Sequence, residues 1–569
     1  MSTNTVYEWN TIPWKQVEKK VFKLQKRIYR AAQRGNQVEV RKLQRLLTKS
    51  HYAKLLAVRR VSQDNQGKKT AGIDGVKSLT PRQRIQLVQR LKLSDKAKPI
   101  RRVYIPKPGK QEKRTLGIPV MEDRAKQALV KLVLEPEWEA KFEPNSYGFR
   151  PARSAHDAIS AIRKTIDRRC KFVLDTDIEK CFDKINHNAL LDKLDCSPYL
   201  KRVIKSWLKS GVMDNGRLFP IEQGTPQGSV ISPLLANVTL HGMETYIRKA
   251  FPVAKKLSDG KRMNPYAPMV IRYADDLVII HPELKEVIKA KELLEEWLKQ
   301  YGLKLKVEKT KIIHTLNSHE GQKPGFDFLG FNVRQYRASK GRGAKSPDGT
   351  PLGYSTLIKP SLESIRRLKT KLKEIVVRNY SGGQANLIRL LNPIIRGWTN
   401  YFRTENSAET FHQVDRAIFL MLWGWGLRRH RNKGKSWIYV KYWKRVDGAL
   451  RFSEKENLLL QASRIGIRHH NKVQGIRSPF DGDWVYWSKR MSKAPKWAPR
   501  EFKILKAQQG KCAMCNLYFK AGDLIEFDHK IPARLGGKNE VNNLQALHRH
   551  CHDEKTTIDG SLAALCQQD

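Results

Sequence analysis

The sequence predicts a multidomain α/β and α protein: an α/β body, a helical domain after it, and a small metal-stapled module at the end. Three observations predict this. At 569 residues the chain is long enough for several domains of ordinary size. Between about residues 95 and 335, short β-rich runs alternate with helical stretches. Finally, Cys512, Cys515, His548 and Cys551 crowd the C-terminal end at spacings that suit a metal ion better than a disulfide framework.

Charge narrows the partner class. With 109 Lys and Arg against 55 Asp and Glu, the formal net charge is +54. Such a surplus repels itself unless a polyanion neutralises it, and nucleic acid is the usual one. A hydrophobic fraction of 40% excludes a disordered chain. No apolar run nears the roughly 18 residues of a membrane span. The nearest, Ala417–Leu427, is broken by Gly424 and Gly426. Met1–Asn10 lacks the apolar core of a secretion signal, so no membrane association and a cytoplasmic location are expected. Cys170, Cys181 and Cys196 stand apart, and Cys566 follows the C-terminal cluster.

Taken in chain order, Val17–Leu47 reads as one basic helix, with Val21, Leu24, Ile28 and Ala31 at helical spacing. The first sixty residues hold 15 Lys and Arg against three acids, which favours contact with RNA or DNA over a merely solvated face. Strands are expected at Arg101–Ile105, Phe172–Leu174, Met269–Arg272, Leu277–Ile280 and Lys311–Thr315, with a Gly-centred strand or turn at Phe326–Val333. Ser339–Tyr354, rich in Gly, Lys and Pro, reads as a boundary or mobile loop. Residues 361–480 carry 24 Lys and Arg against eight acids, with helical periodicity in their first half. Trp398, Tyr401, Phe402, Trp423, Trp425, Trp437, Tyr439, Tyr442 and Trp443 are interleaved with those cations. Such a surface can stack bases and neutralise phosphates, although any single Trp is more often core.

Two acidic segments carry the first chemistry. Met269–Ile280 places Asp275 and Asp276 between two apolar β-type runs, as at the tip of a tight hairpin. Adjacent carboxylates there repel and are costly to desolvate unless a cation sits on them, and a hard divalent ion is the natural one. Successive side chains on a strand point opposite ways, so the two acids are not equivalent. Phe172–His187 supplies further acids at Asp175, Asp177, Glu179 and Asp183. Three convergent carboxylates could hold two ions for phosphoryl transfer.

These segments resemble motifs A and C of reverse transcriptases, whose right-hand fold has fingers, palm and thumb. The resemblance implies Asp177, Asp275 and Asp276 as catalytic ligands of two Mg²⁺ ions, and Phe182 as the residue under the sugar that selects dNTPs. Gln223–Asn237 resembles motif B, where Gly228 lets the backbone approach template and nucleotide and Gln227 shapes the turn. Arg101–Pro119 and Asn145–Arg153 resemble fingers segments. They imply Lys107 and Arg114 at the triphosphate and Arg150 toward template or nucleotide. Lys309 and Phe326–Phe331 match the remaining palm motifs.

The segments around Trp398–Phe402 and Lys435–Trp443 resemble the thumb and maturase domain of group II intron-encoded proteins, which holds intron RNA. At the C-terminus, Cys512, Cys515, His548 and Cys551 suit a structural tetrahedral Zn²⁺ site in a module too small for a large core. The residues between resemble the ββα-metal HNH nucleases. That resemblance implies Asp528 and His552 on one catalytic divalent ion, His529 as general base and Asn543 orienting its imidazole. The second pair begins with His548 where the family usually has Cys, and His550 is a competing ligand.

The resemblance covers nearly the whole chain and implies five parts. They are a basic extension and the start of the fingers (1–95), fingers and palm (96–358), thumb and maturase domain (359–445), a DNA-binding region (446–500) and an HNH endonuclease (501–569). It implies an RNA-directed DNA polymerase that binds group II intron RNA, nicks target DNA and primes synthesis from it within a bacterial or organellar nucleoprotein. A splicing-only maturase would not need Asp275 and Asp276. Another cellular reverse transcriptase would not ordinarily carry both a maturase-like segment and a zinc nuclease module. Monomer and dimer are both open.

Overall fold

The computed structural model describes residues 8–559 apart from 95, 107–112, 215, 253–254, 257–261, 264–266, 339–342, 347–348, 495–496 and 520–522. Lys107 and Cys566 lie outside the described residues, as does part of 339–354.

At the centre is a four-stranded antiparallel sheet in the order Lys311–His314, Phe172–Asp177, Asp276–His281, Met269–Tyr273. Both of its faces are buried, which explains the near-continuous apolar runs of its strands. Leu174, Val270, Leu277 and Ile279 join one core, with the N-terminal helices and the helix Met121–Lys141. Their neighbours Val173, Ile271, Val278 and Ile280 join a second core, with the helices after residue 361. A strand alternates its side chains between faces, so each run feeds both cores at once.

The helix expected over Val17–Leu47 is two helices, Trp14–Gln33 and Gln37–Lys49. Gly35 follows the first in the left-handed region at φ 70°, and the Asn36 side chain caps the second by accepting from the Glu39 amide. A C-terminal Gly stop followed by an Asn cap outweighs the continuous apolar stripe.

A second four-stranded sheet runs Lys113–Ile118, Ile100–Pro106, Val212–Asp214, Arg217–Phe219. A third joins Phe326–Phe328, Phe331–Arg337 and Tyr354–Pro360. Its first turn, Leu329-Gly330, has positive φ at both positions, as a two-residue hairpin requires. Helices Leu362–Arg378, Gln384–Phe402, Ala408–Arg429 and Lys435–Tyr442 follow. Phe402, Trp425, Tyr442 and Trp443 go into their core, whereas Trp437 and Tyr439 stay about 40% exposed.

Residues 443–458 form a small three-stranded sheet, and 459–492 fold back over the helix Ala155–Ile166. Asp157 is the clasp. Fully buried, its carboxylate accepts from the Ser154 amide (2.9 Å), the Val473 amide (2.7 Å) and Arg490 Nη2 (2.6 and 2.7 Å), and meets His470 Nε2 at 3.1 Å. Burial alone would raise its pKa, but the bonds from His470 and the Arg490 charge hold it well below the usual carboxylate range.

The C-terminal module pairs strands Ile525–His529 and Leu544–His548 and closes with the helix Arg549–Ile558. Its core is small, with Ile504, Leu505, Phe519, Leu544, Ala546 and Leu547 beside Cys512 and Cys551. Among the described residues, no helix is long and apolar enough to cross a membrane.

Candidate active sites

The first site lies at one end of the central sheet. Tyr273 and Asp276 close the hairpin, leaving Ala274 and Asp275 as its two turn residues. On the neighbouring strand Asp177 stands directly opposite Asp276, and the Ile178 amide donates to the Asp275 carbonyl at 3.3 Å. Three carboxylates from segments nearly a hundred residues apart therefore meet at one edge.

The site's electrostatics follow from that convergence. Burial, with Asp177 and Asp275 as negative neighbours, raises the Asp276 pKa to about 6. Burial also raises that of Asp275. Asp175, two residues before Asp177 on the same strand face, is raised to about 7 by burial and by the charges of Asp276 and Asp327. Among the described residues the direct cation is Lys309, whose Nζ lies 2.5 Å from Asp177 Oδ2. Burial lowers the Lys309 pKa, but the bond to Asp177 and the charges of all three acids prevail, and the net shift is upward. Asp177 Oδ1 is buried with no hydrogen-bond partner among the described residues. A buried carboxylate oxygen beside two destabilised carboxylates is a donor set whose chemistry suits a hard divalent cation.

The surrounding segments from the sequence analysis converge here. Phe182 packs edge-on against Phe149, ring centroids 5.9 Å apart. The loop 224–228 is stitched to the segment after Asp177, with Gly224 N donating to Ile185 O (2.8 Å) and Thr225 N to Phe182 O (2.5 Å). Gly117 N donates to Gln227 O at 2.6 Å. A Cβ on Gly228, at φ 108°, would sit 2.8 Å from the Gly117 carbonyl, so only glycine fits. Arg114 is exposed on its strand, and its charge reaches Asp275.

Arg150 is placed otherwise than expected. Rather than facing template or nucleotide, its side chain is fully buried, forked onto Glu139 at 2.8 and 3.0 Å and donating to the Glu143 and Ser146 carbonyls. The partner acid lies on the buried helix Met121–Lys141, where an arginine that neutralises it is drawn inward. The residues that sequence reasoning missed are Arg272, Asn237 and Gly148, which brace the Ala274 turn. The first lies inside the acidic hairpin segment and the last inside Asn145–Arg153, but nothing local marks either role.

The second site is the C-terminal module. The ligand atoms of Cys512, Cys515, His548 and Cys551 all lie within 4.8 Å of one another. His548 presents Nδ1 to Cys515 Sγ at 3.3 Å while its Nε2 meets Asp523 Oδ2 at 3.2 Å. A carboxylate behind a histidine fixes the tautomer that a metal needs. His550 is not one of these four, although its side chain reaches Cys515. It stacks on His548 at 5.1 Å and turns Nδ1 toward Glu18 of the N-terminal helix, 3.6 Å away.

Beside the cluster, Asp528 and His529 end the first strand. Asp528 Oδ2 is held by Lys555 Nζ at 2.8 Å. His552 lies three residues before Lys555 on the same helix, hence on the face turned toward that strand. Its Nδ1 is buried without a hydrogen bond among the described residues. The resemblance implies that Asn543 orients the His529 imidazole; among the described residues its side chain bonds the loop that follows His529 instead. Its amide accepts from the Ile531 amide (3.0 Å) and donates to the Ile531 (3.1 Å) and Lys538 (2.9 Å) carbonyls. The loop following His529 closes on Asn543 because Gly537 lacks a side chain there; a Cβ would lie 1.9 Å from the Ile531 carbonyl.

Family matches cover the regions that hold both sites. Residues 105–333 match the reverse transcriptase (RNA-dependent DNA polymerase) family, and 9–91 match the N-terminal domain of reverse transcriptase. Residues 365–443 match the group II intron maturase-specific domain, and 512–557 match HNH endonuclease. The chain is similar to protein YkfC of Escherichia coli (strain K12), 30% identical over 56% of this chain and 90% of that protein. It is 27% identical to the group II intron-encoded protein LtrA of Lactococcus lactis subsp. cremoris, over 63% of this chain and 69% of the relative. Maturase-like protein 1 of Euglena gracilis is 26% identical over 68% and 76%. The chain thus belongs to the group II intron-encoded proteins, reverse transcriptases that also act as splicing maturases, and it carries an HNH endonuclease domain at its C-terminal end.

Proposed function

We propose that Asp177, Asp275 and Asp276 form the nucleotidyl-transfer centre in the palm of a right-hand polymerase, and that the C-terminal module nicks the DNA that primes it. One observation carries the first part: Asp177 stands opposite Asp276 with its Oδ1 buried and unpartnered among the described residues. Mg²⁺ bound there would supply Lewis-acid activation of the primer hydroxyl and neutralise the leaving phosphates. The chain's own residues do the rest. Lys309 orients Asp177, and Arg114 meets the triphosphate of the dNTP. Phe182, braced by Phe149, fills the space a 2′-hydroxyl would need. Gln227 and Gly228 bring backbone close to the template. Arg150 supports the loop from within.

In the C-terminal module, Cys512, Cys515, His548 and Cys551 would hold a structural Zn²⁺, and Asp528 with His552 a catalytic divalent ion. His529 would take the proton from the attacking water. Asn543 acts on it through the loop 531–538. The proposed parts are the fingers and palm over 96–358, behind an extension at 1–95; the thumb and maturase domain at 359–445; the DNA-binding region at 446–500; and the endonuclease at 501–569. Exposed Trp437, with Lys441 and Lys433 at 4.5 and 5.6 Å from its ring, is a stacking platform for intron RNA. Target-primed synthesis tests the whole reading. The purified protein with its intron RNA should nick a duplex target and extend the new 3′ end with dNTPs; nicking without extension would contradict it.

A further inference from the structure

We propose that Arg272 is the positioning residue of the catalytic turn, holding Asp275 and Asp276 in register with Asp177. The proposal rests on reading that turn as the nucleotidyl-transfer site. Arg272 is buried on the strand Met269–Tyr273. Its guanidinium joins three segments that are distant in sequence. Nη1 donates to the Ala274 carbonyl and to Asn237 Oδ1, both at 3.0 Å, and Nη2 donates to Ser146 Oγ at 2.7 Å. Asn237, on the helix Ser232–Leu240, donates in turn to the Gly148 carbonyl at 2.8 Å. The Arg272 backbone completes the junction, its amide donating to Asn145 O and its carbonyl accepting from Tyr147 N.

The turn needs such support. Ala274 adopts φ 60°, a left-handed conformation that L residues avoid and keep only where their surroundings over-determine it. Two constraints do so. Arg272 holds the Ala274 carbonyl, the peptide that leads directly into Asp275. Gly148 presses on the same residue, so closely that a Cβ there would lie 2.2 Å from the Ala274 amide. A lysine could carry the charge but not the planar fork that spans Ala274, Asn237 and Ser146 together. Arg272 touches neither metal nor nucleotide by this reading; it acts through the position of the carboxylates.

The test is steady-state extension of oligo(dT) on poly(rA) by the full chain with Mg²⁺, measuring kcat and the KM for dTTP. Wild type, Arg272→Lys, Asn237→Ala and Asp276→Ala are compared, and each variant's thermal midpoint is recorded. Carboxylates displaced by about an ångström predict a kcat about 100-fold lower for Arg272→Lys with KM changed less than about threefold. A merely structural arginine would instead lower the thermal midpoint and leave kcat per folded molecule intact, which overturns the proposal. Should Arg272→Lys fail to fold, Asn237→Ala decides: a kcat about tenfold lower at unchanged KM supports the junction, and unchanged kcat overturns it. Asp276→Ala separates the two claims, since activity retained there removes the catalytic reading itself. Activity lost in Asp276→Ala but kept in Arg272→Lys removes only the positioning role.

Discussion

The polymerase site and the nuclease site each place a lysine on an aspartate proposed to bind metal, Lys309 on Asp177 and Lys555 on Asp528. They differ in what holds them up. The Asp177–Asp276 pair sits at the end of a sheet with an extensive core on each face, so apolar burial is available to fix its strands. The nuclease residues stand on one strand and the closing helix over a handful of buried side chains, and four atoms that could hold a metal ion sit within that core. By the proposed reading, one set of carboxylates is carried by a large fold that forms without a metal and the other by a small one that uses a metal to form.

Chelation should expose this difference most strongly. Structural Zn²⁺ in small modules contributes roughly 10 kcal/mol or more of folding free energy. Zinc-stripped protein should therefore lose amide protection in residues 523–559 while the central sheet keeps its own. Equal protection in both regions after stripping would break the comparison.

Next in size is the clasp between the polymerase body and the segment after residue 459. Removing one partner of a buried ion pair costs about 3–5 kcal/mol, so Asp157→Asn should render residues 465–490 sensitive to limited proteolysis. The sign with pH is set by the depressed Asp157 pKa. Its contribution is complete above the unfolded carboxylate value, roughly 4, and is lost as pH falls through the lower native value. The gap between wild type and Asp157→Asn, read by thermal denaturation, should be constant near neutrality and narrow in acid.

Smaller effects sharpen the assignment within the polymerase body. Phe182→Ala should relax discrimination against rNTPs by about 100-fold, roughly 3 kcal/mol, as measured by the ratio of kcat/KM values for dTTP and UTP. Trp437→Ala should weaken intron RNA binding by about 1–3 kcal/mol per stacked base, with extension on poly(rA) unchanged. Filter binding over a salt series checks this, and a loss of extension instead would move Trp437 out of the RNA-binding role.

Legibility followed locality. The five strands and the hairpin acids Asp275 and Asp276 were readable because apolar runs and turn residues are local signals, and His548 with the three cysteines because ligand spacing is; Asp177 was singled out from its neighbouring acids by resemblance. The fate of Arg150 was not, since its acid, Glu139, lies on a helix whose burial no local pattern reveals. The hairpin Val212–Phe219 was missed because its strands are three residues each. The clasp was invisible because Asp157 and Arg490 lie 333 residues apart. Asn543 was found by resemblance, yet its hydrogen bonds run to the loop 531–538.

The most direct test crosses the two sites. Primer extension on poly(rA)/oligo(dT) and nicking of duplex target are measured side by side for wild type, Asp276→Ala and His529→Ala. Asp276→Ala should lose extension by about 1,000-fold or more while still nicking, and His529→Ala should do the reverse. Extension by Asp276→Ala at the wild-type rate would contradict the account at its centre.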